Sequence, residues 1–149
     1  MNLLFVCTGN TCRSPMAEGL MKRLAEQENL SVEIKSAGVA AASGTPASAH
    51  TATILKNRGV ELEHASQPVT PELVKWADLI LTMTYSHKQV VNRQFPEAQE
   101  KVFTLKEYIG EMGDLDVMDP FGGSLEVYRE TESELEMALL KLKQKIDKI

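Results

Sequence analysis

The residues best suited to chemistry are consecutive and lie near the start of the chain: Cys7-Thr8-Gly9-Asn10-Thr11-Cys12-Arg13-Ser14. Cys7 opens the segment and Arg13 follows six positions later. Backbone N–H groups between them can curl around an anion, and a helix starting at the far end adds positive potential. A thiol beside such a dipole and a guanidinium is held as the thiolate, its nucleophilic form. Arginine offers a planar fork that grips two phosphate oxygens. Gly9 lets the backbone bend closely, and Asn10 tolerates a left-handed conformation. Ser14 can donate a hydrogen bond to the thiolate. The segment therefore suits a nucleophile at the base of a phosphate cradle. The bland alternative is a structural turn with a buried cysteine. A nucleotide-binding loop of the Walker type fits poorly, because no Gly-Lys-Ser/Thr follows the glycine.

Such a cradle needs a strand before it and a helix after it, and the sequence supplies both. Leu3 to Val6 is an unbroken apolar run, as in a strand buried on both faces of a parallel sheet. Ser14-Pro15 starts a helix, and Ala17, Leu20, Met21, Leu24 and Ala25 follow at helical spacing. Val32 to Ser36 alternates as a second strand. Residues 40–49 read as a loop, and Thr45-Pro46 is expected to start a helix running to Arg58-Gly59. Thr70-Pro71-Glu72 starts another helix. Asp78 to Met83 is a buried strand, Thr84 to Gln94 a helix, Lys101 to Leu105 a strand and Thr104 to Ile109 a short helical turn. Gly110 to Ser124 is a loop rich in Gly and Asp, and a loop of that length in a compact domain is usually functional. Ser124 can cap a last helix whose Leu135, Leu139, Leu142, Ile146 and Ile149 form a core-facing stripe rather than a coiled-coil seam. Alternating strands and helices imply an α/β fold with a mainly parallel sheet. Ligands in such sheets sit beyond the carboxyl ends of the strands, which is where Cys7 falls.

The chain of 149 residues is the size of one domain, 1–149, and 43% apolar residues supply a core without staples. The net charge of −5 argues against a protein that coats nucleic acid or an anionic membrane. Two cysteines do not make a disulfide framework. The N-terminus lacks a basic region, and no stretch approaches the ~18 apolar residues of a membrane span. These features predict a soluble cytoplasmic protein. Asp116 and Asp119 are equal candidates for an acid from the late loop. His64 on its own reads as a surface or satisfied core histidine, and Trp76 and Tyr85 as packing residues. The histidines show no metal-ligand spacing, so no metal is expected.

Cys7 to Pro15, with Ser36-Ala37-Gly38 and Asp119-Pro120, resembles the low-molecular-weight protein tyrosine phosphatases along nearly the whole chain. The resemblance implies a single domain with a four-stranded parallel sheet flanked by helices, wound as in flavodoxin. It implies that Cys7 is the nucleophile of a cysteinyl-phosphate intermediate, that Arg13 binds phosphate, and that Asp119 rather than Asp116 is the general acid and later the base. Thr8, Gly9, Asn10, Thr11, Cys12, Ser14 and Phe121 would contact substrate. Asn10, Ser14 and His64 would support the loop. No cofactor is implied, and the partners would be phosphorylated proteins met by a monomer.

Two departures bear on which phosphoprotein. Thr11 stands where tyrosine phosphatases of this family usually carry a bulky aliphatic residue. Asp119-Pro120-Phe121-Gly122-Gly123 has one aromatic after the proline where that branch usually has two. Both features look like the bacterial protein-arginine phosphatases of this fold. A phosphotyrosine slot wants apolar walls for a flat ring, whereas a phosphoguanidinium is polar. Phosphoarginine hydrolysis is therefore the expected activity and phosphotyrosine hydrolysis its alternative. A thiol-based arsenate reductase would need a cysteine after Cys12, and there is none. A non-catalytic phosphate-binding module would be expected to lack Cys7 or Asp119.

Overall fold

A computed structural model describes residues 1–147. Four parallel strands form its sheet: β1 (Asn2–Cys7), β2 (Glu33–Gly38), β3 (Leu79–Thr82) and β4 (Val102–Thr104). Their order across the sheet is β2-β1-β3-β4, so β1 is central and paired on both sides. The helices are α1 (Arg13–Glu28), α2 (Ala49–Asn57), α3 (Pro71–Trp76), α4 (Tyr85–Gln94), α5 (Leu105–Tyr108) and α6 (Leu125–Asp147), with a 3₁₀ helix at Pro96–Lys101. The chain winds one way to β2 and the other way to β3, so the reversal lies at β1. A crevice opens at such a reversal, beyond the strand ends.

The alternation of β1 divides the core. Leu3 and Phe5 face one side, packing with Met16, Leu20 and Met21 of α1, Ile54 and Leu55 of α2, and Leu135, Leu139 and Leu142 of α6. Leu4 and Val6 face the other, packing with Leu73 and Val74 of α3 and Val91 of α4. All four of these β1 side chains have no solvent exposure. The apolar stripe of α6 packs inward as expected through Leu142, with Ile146 partly buried against the same cluster; Ile149 lies outside the described residues. Among the described residues no helix is long and apolar enough to cross a membrane.

Among the boundaries that differ from the sequence expectation, those of α1, β2 and α2 bear on the loop after β1. α1 opens at Arg13, so Pro15 sits at its third residue, still within the turn whose N–H groups lack helical partners. β2 runs on to Gly38 because Ala37 and Gly38 pair with Val6 and Cys7. α2 opens at Ala49, not at Thr45-Pro46. The Thr45 carbonyl, which a helix starting there would need for its first bond, accepts instead from the Ser66 N–H at 2.8 Å, and Ser48 accepts from the Thr51 N–H as the cap.

Gly38 sets the spacing between β2 and the loop that leaves β1. A Cβ there would lie 2.4 Å from the Thr8 carbonyl oxygen and 3.0 Å from the Asn10 nitrogen. Backbone cannot yield as a side chain does, so Gly38→Ala must push the loop away. The variant should lose about 1–3 kcal/mol of stability in denaturant unfolding. Its phosphatase activity should fall at least tenfold under conditions where it remains folded; unchanged activity would show that the loop tolerates displacement.

Candidate active site

The loop between β1 and α1 turns its carbonyls outward. Those of Cys7 and Thr8 accept from the Val39 and Ala40 N–H groups at 2.9 Å, and that of Thr11 accepts from the Ser48 N–H at 2.9 Å. The Asn10 carbonyl accepts from His64 Nε2 at 2.6 Å, which places the ring proton on Nε2. The Cys12 carbonyl takes the Met16 N–H at 3.1 Å. The amides of Gly9, Asn10, Thr11 and Cys12 have no protein acceptor among the described residues. A ring of free N–H groups at a helix start is a nest for an anion.

Asn10 makes this turn with φ of 58°, in the left-handed region. Its side chain is fully buried and fully used. Oδ1 accepts from the Gln67 N–H at 3.1 Å, and Nδ2 donates to Ser14 Oγ at 2.8 Å and to Ser36 Oγ at 2.9 Å. The direction of these bonds follows from the Gln67 N–H, a backbone donor that fixes Oδ1 as the acceptor and turns Nδ2, which can only donate, toward both serines. Ser36 therefore gives its single proton to Glu18 Oε1, at 2.6 Å, and accepts from Asn10. Asn10 spends its other amide proton on Ser14 Oγ. The Ser14 proton is left for Cys7 Sγ at 2.8 Å, closer than the Ala37 carbonyl at 3.4 Å. The chain of donors ends on the sulfur.

In front of this support lies a pocket of about 230 Å³. The loop lines it with Cys7, Thr8, Gly9, Thr11, Cys12 and Arg13, and the late loop adds Asp119 and Phe121. Arg13 is held by the Val117 carbonyl at 3.1 Å and faces the Asp119 carboxylate at 3.5 Å. Asp119 also accepts from the Phe121 N–H, which shapes the Asp-Pro turn. Asp116 instead accepts from the Tyr85 N–H and does not line the pocket. Geometry thus separates two carboxylates that composition leaves equal. The Asn10 and Ser14 side chains, expected both to contact substrate and to support the loop, lie behind the pocket and not in its lining.

Cys7 and Cys12 are both free thiols. Cys12 Sγ lies 3.3 Å from the Tyr128 hydroxyl, and burial with the neighbouring thiol pushes that phenol up. Trp76 packs partly buried at the second core, but Tyr85 is half exposed at the start of α4, not the packing residue expected. Sequence reading misses Ser36, Glu18, Gln67, Tyr128 and His87. For His87 the sequence does hold a signal, since Thr84-x-x-His87 has the spacing of a capping box.

Asn10→Ala should remove the buried hydrogen bonds and strain the left-handed turn, costing about 2–4 kcal/mol in unfolding experiments. Asn10→Gly, which accepts the same φ, should recover about 1 kcal/mol of that without restoring activity. Equal stability of the two variants would show that the backbone conformation contributes nothing.

The comparisons with known proteins agree with this geometry. The family model for low molecular weight phosphotyrosine protein phosphatase matches residues 2–149. A protein-arginine-phosphatase of Bacillus subtilis is 50% identical over 149 residues, spanning 99% of this chain and 98% of its own. A low molecular weight protein-tyrosine-phosphatase of Staphylococcus aureus, PtpB, is 41% identical over 96% of this chain and 97% of its own. A solved structure of the YwlE arginine phosphatase, a mutant with a phosphorylated active-site serine, superimposes with a TM-score of 0.95 at 49% identity, covering 99% of this chain and 97% of that one. Similarity of this extent leaves no part of the fold or the loop unaccounted for: the chain is a cysteine-dependent phosphatase and belongs to the low molecular weight phosphotyrosine protein phosphatase family.

Proposed function

We propose that this chain hydrolyses phosphoarginine in proteins through a cysteinyl-phosphate intermediate. The observation that carries the reading is the pocket mouth, which has one aromatic side chain and a threonine. Phe121 is 78% exposed beside the pocket, while Gly122 adopts φ of 79° and a Cβ there would meet nothing within 4 Å. A second aromatic in this backbone conformation would be strained, so one side of the mouth stays open to water. Thr11 lines the pocket with a short, partly polar side chain. A phosphoguanidinium, planar and rich in N–H donors, suits a half-open polar mouth better than a phenyl ring does. The protein-arginine-phosphatase names of the Bacillus subtilis and Geobacillus stearothermophilus relatives support the same substrate.

In this reading the Cys7 thiolate attacks phosphorus, the P–N bond breaks, and Asp119 gives its proton to the departing guanidine nitrogen. Arg13 and the free loop amides hold the phosphoryl oxygens as charge redistributes. Water then attacks the cysteinyl phosphate, Asp119 takes its proton, the S–P bond breaks and phosphate leaves. Ser14 steadies the sulfur as leaving group, and Asn10 and His64 keep the loop in shape. The family match over residues 2–149 supports one phosphatase domain over 1–149 acting on phosphorylated proteins. Phosphotyrosine hydrolysis is the second reading, favoured by the exposed Phe121 ring and by the name of the Staphylococcus aureus relatives.

Rates on phosphoarginyl and phosphotyrosyl peptides test the choice. Wild type should prefer phosphoarginine, and Thr11→Ile should depress that activity while sparing or raising phosphotyrosine hydrolysis. A preference of the wild type for phosphotyrosine, or a ratio unmoved by Thr11→Ile, would leave the second reading standing. Asp119→Ala should lower kcat/KM about 10²–10⁴-fold on a protein substrate and much less on an activated aryl phosphate. An equal loss on both, or a larger loss from Asp116→Ala, would move the acid elsewhere.

A further inference from the structure

His87 lies outside the pocket lining but is bonded to it. It is 5% exposed, at the third residue of α4, and its ring makes two hydrogen bonds of opposite sense. The Thr84 backbone N–H lies 3.2 Å from Nδ1. A backbone amide only donates, so Nδ1 accepts and carries no proton. In a neutral imidazole the proton then sits on Nε2, which lies 2.8 Å from Thr8 Oγ1. His87 donates and the Thr8 oxygen accepts. Burial, with the charge of Arg13 beside it, pushes His87 down to about 4 against the opposing pull of Asp116 and Asp119. The ring is neutral wherever the enzyme would be assayed.

As a helix cap the histidine is more than the position requires. A glutamate or glutamine at the same capping-box position would take the Thr84 N–H equally well. Only an imidazole also presents an N–H on the far side of its ring. That N–H occupies one lone pair of the Thr8 hydroxyl, which has no other partner among the described residues. Thr8 follows Cys7 directly and lines the pocket. We propose that His87 is a positioning residue: by donating to Thr8 Oγ1 it turns the Thr8 hydroxyl proton into the pocket, where Thr8 donates to a phosphoryl oxygen of the substrate. The inference rests on the reading of this pocket as the site of phosphoryl transfer.

Competitive inhibition by inorganic phosphate tests it without depending on the leaving group. Thr8→Val keeps the shape and removes the hydroxyl. His87→Gln keeps a side-chain oxygen for the Thr84 N–H and removes the far-side donor. Each should raise the phosphate inhibition constant about tenfold to a hundredfold, the range for one lost hydrogen bond to a charged group. Thr8→Ser should bind phosphate like wild type. The double variant should be no worse than Thr8→Val alone, because His87 acts only through Thr8. The thermal midpoint of His87→Gln should stay near that of wild type. A phosphate constant unmoved in Thr8→Val overturns the proposal, whether or not peptide turnover falls. So do losses that multiply in the double variant, which would mean His87 acts by another route. Failure of phosphate to compete in wild type, or sustained turnover by Cys7→Ser, would overturn the pocket reading as well; competition in wild type with unmoved constants in the variants removes this inference alone.

Discussion

A loop that offers its amides to an anion must dispose of its carbonyls elsewhere. Buried C=O groups left without donors would cost more than the loop could recover. Much of this molecule answers that constraint. Val39 and Ala40, just past β2, serve the first two carbonyls, and His64 and Ser48 serve those of Asn10 and Thr11. Each of these donors lies in the chain on either side of α2, between β2 and α3, with Ser48 at its cap. Those connections are therefore the outer half of the phosphate loop, separated from it in sequence but continuous with it in hydrogen bonding.

The polar support behind the loop has a fixed direction because it starts from a donor that cannot accept. The Gln67 N–H holds Asn10 Oδ1, so Asn10 Nδ2 donates both to Ser36, whose proton goes to Glu18, and to Ser14, whose proton is left for Cys7. A network of neutral hydroxyls alone would be free to reverse. One buried amide, turned by a backbone N–H, removes that freedom. Low dielectric strengthens such a chain when all its members are satisfied. His87 and Thr8 have the same logic on the other side of the loop, where the Thr84 backbone amide sets the direction.

The legible parts of the sequence were those governed by local rules. The unbroken apolar run of Leu3 to Val6 reads as a buried central strand, and the spacing of Cys7 and Arg13 before Pro15 places a cradle at its end. The inward stripe of α6 follows from periodicity. What was not legible depends on who meets whom. The Ser66 N–H takes the Thr45 carbonyl and so delays α2 to Ala49, and nothing near Thr45 announces it. Tyr128 meets Cys12 across 116 positions, and His87 meets Thr8 across 79. The split between Asp116 and Asp119 likewise rests on a contact, the bond from Asp116 to the Tyr85 N–H, which draws it out of the pocket lining. Periodicity reports which face is buried, but not which two polar atoms share a proton.

The long reach from Arg13 to Val117, 104 positions on, has a consequence for synthesis. Cys7 leaves the ribosome long before the late loop that completes its pocket. At about 5–20 residues per second the thiol waits about 6–22 seconds for Asp119. For the first part of that interval β1 lacks its β3 neighbour, and through all of it the apolar cover of α6 is missing. The donors that shape the nest, at Val39, Ala40, Ser48 and His64, are in place well before the carboxylate partner of Arg13. The growing chain therefore assembles its anion cradle first and its Asp119 and Phe121 wall afterwards.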